Sequence, residues 1–281
     1  MSLPLINITN QKVDPDLSKY IRRISIFKSP GKIKYSQKLT PSAFSYLSYN
    51  HKDIPASVFG KEIIRPHQRL MMTGPKISED IFVKYNGALS QILIEFTGSG
   101  FYYLFHKSPK ALINRLIELQ RFTLCNECDQ LEEALIKMQN ENEQAELIKK
   151  FLLERTSVAL PFVDYIEKSL KIIEENHGNI TVSEISKKIA ISERQFNRRF
   201  IEIVGISPKK YAKIFQLQYV IYLMHTGKYP KIQDIVYEID LFDPSHLMHQ
   251  FKELTGFTPT EFIHSNKHIA LEYFTSEHFN K

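Results

Sequence analysis

Apolar and polar positions alternate in short runs over the first hundred residues. Runs rich in Ile, Val, Phe and Tyr are separated by turn residues such as Pro30-Gly31 and Asn86-Gly87. The pattern predicts strands at Arg22–Phe27, Phe44–Tyr49, Ile63–Met72, Ile81–Tyr85 and Gln91–Phe96. Several short strands with regular turns indicate a barrel or a sandwich. Residues 1–155 are therefore predicted to form a β-rich, barrel-like domain.

The apolar spacing becomes helical after Gly100. Ser108-Pro109 is a typical helix start, and apolar positions between Leu112 and Leu119 follow at helical intervals. A second helical stretch covers Leu131–Leu152. We predict a helical hairpin over about residues 108–155, packed on the β domain or on a second copy of the chain. The next segment, Arg155–Pro161, lacks periodicity and is predicted to be a linker.

The last hundred residues contain a pattern that occurs twice. Residues 196, 200, 205, 208 and 211 recur 51 positions later: Phe196, Phe200, Gly205, Pro208 and Tyr211 become Leu247, Phe251, Gly256, Pro259 and Phe262. Similarity at a fixed period is the mark of a duplicated unit. Each unit predicts a helix, a short turn, a second helix ending at Gly, and a restart at Ser-Pro or Thr-Pro. Two such helix-turn-helix units, over residues 162–266, indicate a DNA-binding domain.

Local capping signals support these helices. Thr181 with Glu184 predicts a capping box, and Ser192 with Gln195 predicts the start of the next helix. A long helix from about Lys209 to His225 is apolar on most sides. It is predicted to be a buried spacer between the two units; a cofactor or lipid groove is the alternative.

Helical geometry predicts which side chains of the first unit face outward. With Phe196 and Phe200 buried, Arg194, Asn197 and Arg198 project near the N-terminal end of their helix. Arg can pair with guanine and Asn with adenine in the major groove. We predict that these three read bases; the alternative is that they are ordinary exposed residues. The predicted phosphate contacts are Ser192, Lys209, Lys210 and Lys213.

The corresponding positions of the second unit are Ser245, Met248 and His249. Met248 offers only apolar contact, and His249 can meet a base or a phosphate. We therefore expect the second unit to read DNA more weakly or less specifically than the first.

Composition adds modest support for this interpretation. The 281 residues are 43% hydrophobic and 24% charged, with a net charge of +6 and two cysteines. These values are ordinary for a globular protein and argue against a disulfide-built secreted fold. The sequence shows no membrane-spanning run and no leader signal, so we expect a cytoplasmic protein with no membrane partner. Residues 162–266 hold 13 basic and 13 acidic residues, so the net positive charge lies outside them.

The C-terminal pattern resembles the AraC family of bacterial transcription regulators. The match is carried by Ser192-x-x-x-Phe196-x-Arg198-x-Phe200 with Gly205-x-Ser207-Pro208, and by Ser245-His246-Leu247 with Gly256-x-Thr258-Pro259. The resemblance implies about seven helices, with a long helix joining two reading helices that enter successive major-groove segments. Three positions depart from the family: Asp240-Leu241 in the second turn, Gln216 in place of Arg, and Arg199 at a commonly apolar position.

The N-terminal half is similar to a sensor domain found in some AraC-like regulators. The similarity is based on four short motifs: Leu17-x-x-Tyr20-Ile21, Leu39-x-Pro41, Thr73-Gly74-Pro75 and Phe96-x-x-x-Gly100. The resemblance implies a domain that binds a small-molecule effector or forms a homodimer.

Other chemistry finds little support in the sequence. Cys125-x-x-Cys128 has no second pair to complete a zinc site, and His51, His67 and His106 show no ligand spacing. No enzyme, metal or cofactor is predicted. The predicted fold class is α+β: the β-rich domain with its helical appendage, an all-α reader over 162–266, and a tail over 267–281. The predicted function is sequence-specific regulation of transcription. The alternative is a small-molecule-binding barrel whose helical domain contacts other proteins.

Overall fold

The structure, a computed structural model, describes residues 5–59, 61–77, 81–226, 228, 232–239 and 244–264. The tail predicted over 267–281 lies outside these ranges, as does the turn at Asp240-Leu241. The strands are β1 Asn7–Gln11, β2 Ile21–Lys38, β3 Tyr46–Asn50, β4 Ala56–Phe59, β5 Glu62–Ile64, β6 Leu70–Thr73, β7 Ile81–Phe96 and β8 Leu116–Glu118. The helices are α1 Gly100–Phe105, α2 Cys125–Lys137, α3 Glu141–Thr156, α4 Asp164–Glu175, α5 Val182–Ile189, α6 Glu193–Val204, α7 Pro208–Thr226, α8 Ile232–Glu238, α9 Pro244–Thr255 and α10 Pro259–His264.

All eight strands belong to one antiparallel sheet. Its main order is β1-β2-β7-β3-β6-β8, and β4 pairs with both β5 and β7. Among the described strands the pairing is open, with β1 and β8 at the two ends of that order. Residues from most of these strands nevertheless line one common cavity, so the sheet is curled as the barrel-like prediction requires.

Several of the predicted strand boundaries were wrong. Pro30-Gly31 lies inside β2, and Asn86-Gly87 lies inside β7, so neither is a turn. The two long strands pair along their length, from Ile21 opposite Phe96 to Lys38 opposite Phe82, with a register shift between Lys28 and Lys32. The Pro-Gly pair is therefore a bulge. Gly87 keeps a φ of +152°, and the carboxylate of Asp53 accepts a hydrogen bond from the N–H of the next residue, Ala88, at 2.8 Å.

The run predicted as Ile63–Met72 is also two strands rather than one. β5 ends at Ile64 and β6 begins at Leu70, with Pro66 between them. Proline has no N–H to donate to a ladder, so it interrupts the pairing.

The segment that opens the predicted helical hairpin is not an α-helix. Ser108 caps a short 3-10 turn at Pro109–Leu112, and Leu116–Glu118 then pairs with β6 as β8. Short apolar runs fit both strand and helix periods, and here pairing with an open sheet edge decides the outcome. The hairpin itself consists of α2 and α3. A helix that the pattern did not predict, α1, buries five of its six residues beneath the sheet.

The helices that follow residue 163 adopt the predicted order. α7 is buried on most sides, including Tyr211, Phe215, Leu217 and Val220. One apolar cluster runs from the sheet through α1–α6 into the first half of α7, and a second joins the rest of α7 to α8, α9 and α10. The first reader unit thus shares a core with the N-terminal domain.

None of the helices in the described ranges combines the length and the apolar character needed to cross a membrane. Within the same ranges, His, Cys, Asp and Glu side chains form no cluster that could hold a metal ion.

Candidate nucleic-acid interface

The turn between α5 and α6 is fixed by caps at both helices. The predicted capping box is confirmed: the N–H of Glu184 donates to Thr181 Oγ1 at 3.2 Å, and the N–H of Thr181 donates to the Glu184 carboxylate at 2.8 Å. α5 ends at Ala190, whose φ of +54° is left-handed. Two residues later, Ser192 Oγ accepts from the N–H of Gln195 at 3.4 Å and starts α6. The turn is therefore as short as a helix-turn-helix requires.

Aromatic packing sets the rotation of α6 about its axis. Phe196 and Phe200 are fully buried, with ring centroids 5.4 Å apart, and Phe200 meets the ring of Tyr211 on α7 at 5.7 Å. The opposite face is solvent-exposed and carries Arg194, Asn197 and Arg198. Neither arginine pairs with a carboxylate in the part of the chain that is described. Their donors are thus available to an external acceptor.

The predicted phosphate contacts differ in exposure. Ser192 and Lys209 are exposed, whereas Lys210 and Lys213 are half-buried at the start of α7. Ser192 Oγ accepts the capping bond of α6, and its hydroxyl hydrogen can still be donated.

The second unit repeats this arrangement around α9. Leu247 and Phe251 are buried, and the Phe251 ring lies 5.3 Å from that of Phe262. Ser245 and His249 are exposed, and Met248 is half-buried. The closing helix, α10, begins with the same kind of capping box: the N–H of Thr258 donates to the Glu261 carboxylate at 2.7 Å, and the N–H of Glu261 donates to Thr258 Oγ1 at 3.3 Å.

α7 joins the two units through buried polar contacts. Gln216 is buried and accepts a hydrogen bond from Gln250 of α9 at 3.1 Å. The residue in place of the expected Arg is thus part of the interface between α7 and the second unit. Nearby, the ring of His177 stacks on Tyr219 at 3.8 Å, and Asn179 donates to the carbonyl of Ile239 at 3.1 Å.

Arg199, at a commonly apolar position, faces the N-terminal domain. It pairs with Glu202 at 2.6 Å and lies 5.9 Å from the ring of Tyr102, whose hydroxyl donates to Glu202 at 3.2 Å. The hydrogen bond from Arg199 lowers the pKa of Glu202. Sequence analysis missed this contact, because Tyr102 lies a hundred residues away in the chain.

Comparison with known protein families identifies this part of the chain. Residues 185–265 match the model of a family described as a helix-turn-helix domain. The C-terminal domain is an AraC-type helix-turn-helix domain. This chain therefore carries the DNA-binding domain of an AraC-type transcription regulator.

Comparison with solved structures gives matches at low sequence identity. ToxT from Vibrio cholerae shares 14% identity with this chain, over 87% of this chain and 98% of ToxT, with a TM-score of 0.46. A structure of the same protein bound to an unsaturated fatty acid aligns over 87% of this chain and 95% of that chain, with 14% identity and a TM-score of 0.45. The AraC-like transcriptional activator CuxR shares 14% identity over 77% of this chain and 86% of its own, with a TM-score of 0.29. No match is found among curated proteins.

A cavity of about 200 Å³ lies inside the curled sheet. Its walls are mainly apolar, with Phe27, Phe59, Met71, Val83 and Leu93 among the lining residues. One of the lining residues, Lys76, has an ionisable side chain and is only 7% exposed. Its Nζ has no hydrogen-bond partner among the described residues. Burial, with the neighbouring charge of Lys38, holds the pKa of Lys76 well below its usual value.

Residues 37–42, which we call the cavity-wall segment, lie between this cavity and the AraC-type domain. Ser42 lines the cavity and exchanges backbone hydrogen bonds with Lys76 at 3.0 and 2.7 Å. Next to it, the carbonyl of Pro41 accepts from the buried Gln218 of α7 at 3.4 Å. At the other end, Lys38 Nζ lies 4.9 Å from the ring of Phe257, just before α10. The joining helix α7 and the second reader unit are thus connected to the cavity through one short segment.

Proposed function

We propose that this chain regulates transcription by reading two adjacent major-groove segments, one with each helix-turn-helix unit. The observation that carries the proposal is the exposed face of α6. Arg194, Asn197 and Arg198 project from it, and the core residues Phe196 and Phe200 fix its orientation. Side chains of these types match the hydrogen-bonding edges of guanine and adenine. Ser245, Met248 and His249 give α9 a weaker set for the adjacent segment.

The backbone contacts belong to the same proposal. Ser192 lies at the N-terminus of α6, where helix amides favour a phosphate, and Lys209 begins the next helix on an exposed face. Lys210 and Lys213 are half-buried, so they can contact a phosphate only if their ammonium groups extend to the surface. The proposed function implies a cytoplasmic location.

Selection from genomic fragments with the full chain is the direct test. The recovered fragment should bind more tightly than a scrambled duplex, with an affinity that falls as salt rises. If the chain instead binds small molecules and uses its helical domain for protein contacts, no salt-sensitive DNA affinity will be found in gel shifts with competitor DNA.

We further propose that the cavity binds an effector with an apolar body and an anionic group. An apolar wall selects the body, and Lys76 supplies the cation that an anion such as a carboxylate would pair with. Such a pair would offset the cost that burial imposes on the charged form of Lys76. A ligand that moves Lys76 would also move Ser42 and Pro41, and through Gln218 it would act on α7.

An aliphatic monocarboxylate series, with the matched alcohols as controls, tests the effector. Carboxylates should raise the thermal midpoint of the full chain and the alcohols should not, and Lys76→Met should remove the difference. Equal stabilisation by both series would argue against an anion site. Homodimerisation remains a prediction from the resemblance; light scattering coupled to size exclusion measures it.

A further inference from the structure

The N-terminal domain makes direct backbone contact with the end of the first reading helix. α6 ends at Gly205, which has a left-handed φ of +90°. A Cβ placed on Gly205 would lie 2.9 Å from the backbone N of Lys110 and 3.0 Å from the carbonyl carbon of Pro109. These two residues belong to the 3-10 turn Pro109–Leu112 of the N-terminal domain. The glycine thus allows an approach that a side chain would block.

This contact brings a cation from each domain to the same end of α6. Lys110 is exposed and pairs with no carboxylate within the described residues. Lys209 is exposed as well and follows Gly205 closely in the chain. The acidic residue nearest this end in sequence, Glu202, is already paired with Arg199 at 2.6 Å.

Lys107, three residues before Lys110, differs from it. Its Nζ donates to the carbonyl of Arg121 at 2.6 Å and lies 5.3 Å from the ring of Phe122. The charge of Lys107 is therefore engaged within the N-terminal domain, whereas Lys110 is exposed and has no carboxylate partner among the described residues.

We propose that Lys110 contacts the DNA backbone beside the segment read by α6, so that the N-terminal domain is itself part of the DNA-binding face. Helix length supports this placement. The 12 residues of α6 span roughly 18 Å, and the major groove is about 12 Å wide. A helix whose N-terminal end lies in the groove therefore extends at its other end toward the phosphates of the groove wall, and exposed lysines near that end, Lys110 and Lys209, would be positioned to contact them.

The inference rests on the proposed DNA-binding function and has a separate readout. The full chain, Lys110→Ala and Lys110→Arg are titrated with the selected fragment and with a scrambled duplex over a salt series. Lys34→Ala is the matched control, because Lys34 is an exposed lysine of the same domain on β2, opposite Asn86. Circular dichroism verifies that each variant is folded.

We expect Lys110→Ala to weaken binding to both duplexes by the same several-fold factor. It should also reduce the slope of log affinity against log salt by about 0.9, the value for one phosphate contact. Lys110→Arg should retain the slope, and Lys34→Ala should leave affinity and slope unchanged. If the wild-type chain binds DNA but the salt slope of Lys110→Ala is the same as that of wild type, this inference is wrong and the proposed function still stands. Absence of DNA binding by the wild-type chain overturns the proposed function with it.

Discussion

Arg22 of β2 pairs with Glu174 of α4 at 3.1 Å and so links the N-terminal domain to the AraC-type domain. The same guanidinium lies 4.7 Å from the ring of Phe44 and 5.7 Å from that of Phe215 on α7. Ser99 and Glu167 form a second polar link across the interface, at 3.0 Å. Together with the shared apolar core, these contacts fix the first reader unit against the sheet.

An ion pair inside the sheet and the ion pair at this interface are expected to differ greatly in their contribution to stability. Arg23 and Glu95 are almost completely buried and pair at 2.9 Å, so Arg23→Met should lower the free energy of unfolding by about 3–5 kcal/mol. Glu174 is 40% exposed, so Glu174→Gln should cost no more than about 1 kcal/mol. Urea denaturation of both variants at neutral pH measures the two values. Equal losses would show that burial does not govern these pairs.

Substitutions on the buried face of α6 should affect stability, whereas substitutions on its exposed face should affect DNA binding. Phe200→Ala opens a cavity between α6 and α7 and should cost about 3–5 kcal/mol of unfolding free energy. Arg198→Ala, two positions away on the exposed face, should change stability by less than about 0.5 kcal/mol. A large loss of stability in Arg198→Ala would mean that its side chain supports the fold.

The two reader units should contribute unequally to specificity. Arg198→Ala is expected to cost about 1–3 kcal/mol on the selected fragment and to relax the preference at one base pair. His249→Ala, the equivalent change on α9, should cost less, because histidine lacks the two-pronged donor geometry of arginine. Competition assays with single-base variants of the fragment compare the two. If His249→Ala lost more affinity than Arg198→Ala, the second unit would contribute more to specificity than the first, contrary to this prediction.

The buried ammonium of Lys76 predicts a pH dependence of stability. Its pKa is held well below the ordinary 10.5 by burial and by Lys38, so the folded chain binds fewer protons here than the unfolded chain. Stability should therefore rise with pH between the folded pKa and 10.5, and fall as pH drops through that interval. Lys76→Met removes the linked proton, so it should stabilise the chain by about 1–3 kcal/mol near neutral pH. Denaturation midpoints from about pH 6 to about pH 10 should converge at the alkaline end.

A control variant isolates this effect from general charge effects. Lys34→Met removes an exposed lysine from the same sheet and should leave the pH dependence as in the wild type. If Lys76→Met and wild type keep a constant difference at every pH, the buried ammonium does not titrate as described.

The reader units were predictable from the sequence because their determinants are local. Thr181 and Glu184 are three residues apart, and Phe196 and Phe200 one turn apart, so capping and the buried face follow from short-range geometry. Because the unit is duplicated, the same pattern can be recognised twice in the sequence. The exposure of Arg194, Asn197 and Arg198 follows from the same geometry, whereas their contacts with bases remain a prediction.

The N-terminal domain was less predictable because its determinants are distant in the chain. Gly87 lies within β7 because it pairs with Ile33 of β2, and Leu116–Glu118 forms a strand because it pairs with the edge of β6. No local pattern marks Lys76 as buried, since its surroundings come from several strands of the curled sheet. The contact of Lys110 with Gly205 joins the two domains and is equally absent from any short pattern.

The central claim is that the exposed face of α6 reads base pairs. The most direct measurement compares wild type with an Arg194→Ala/Arg198→Ala double variant, on the selected fragment and on a scrambled duplex, at one salt concentration. The account predicts a loss on the selected fragment well above the loss on scrambled DNA, so that the ratio of the two affinities falls at least about tenfold. Equal losses on both duplexes would contradict it, because the two arginines would then contact only phosphates.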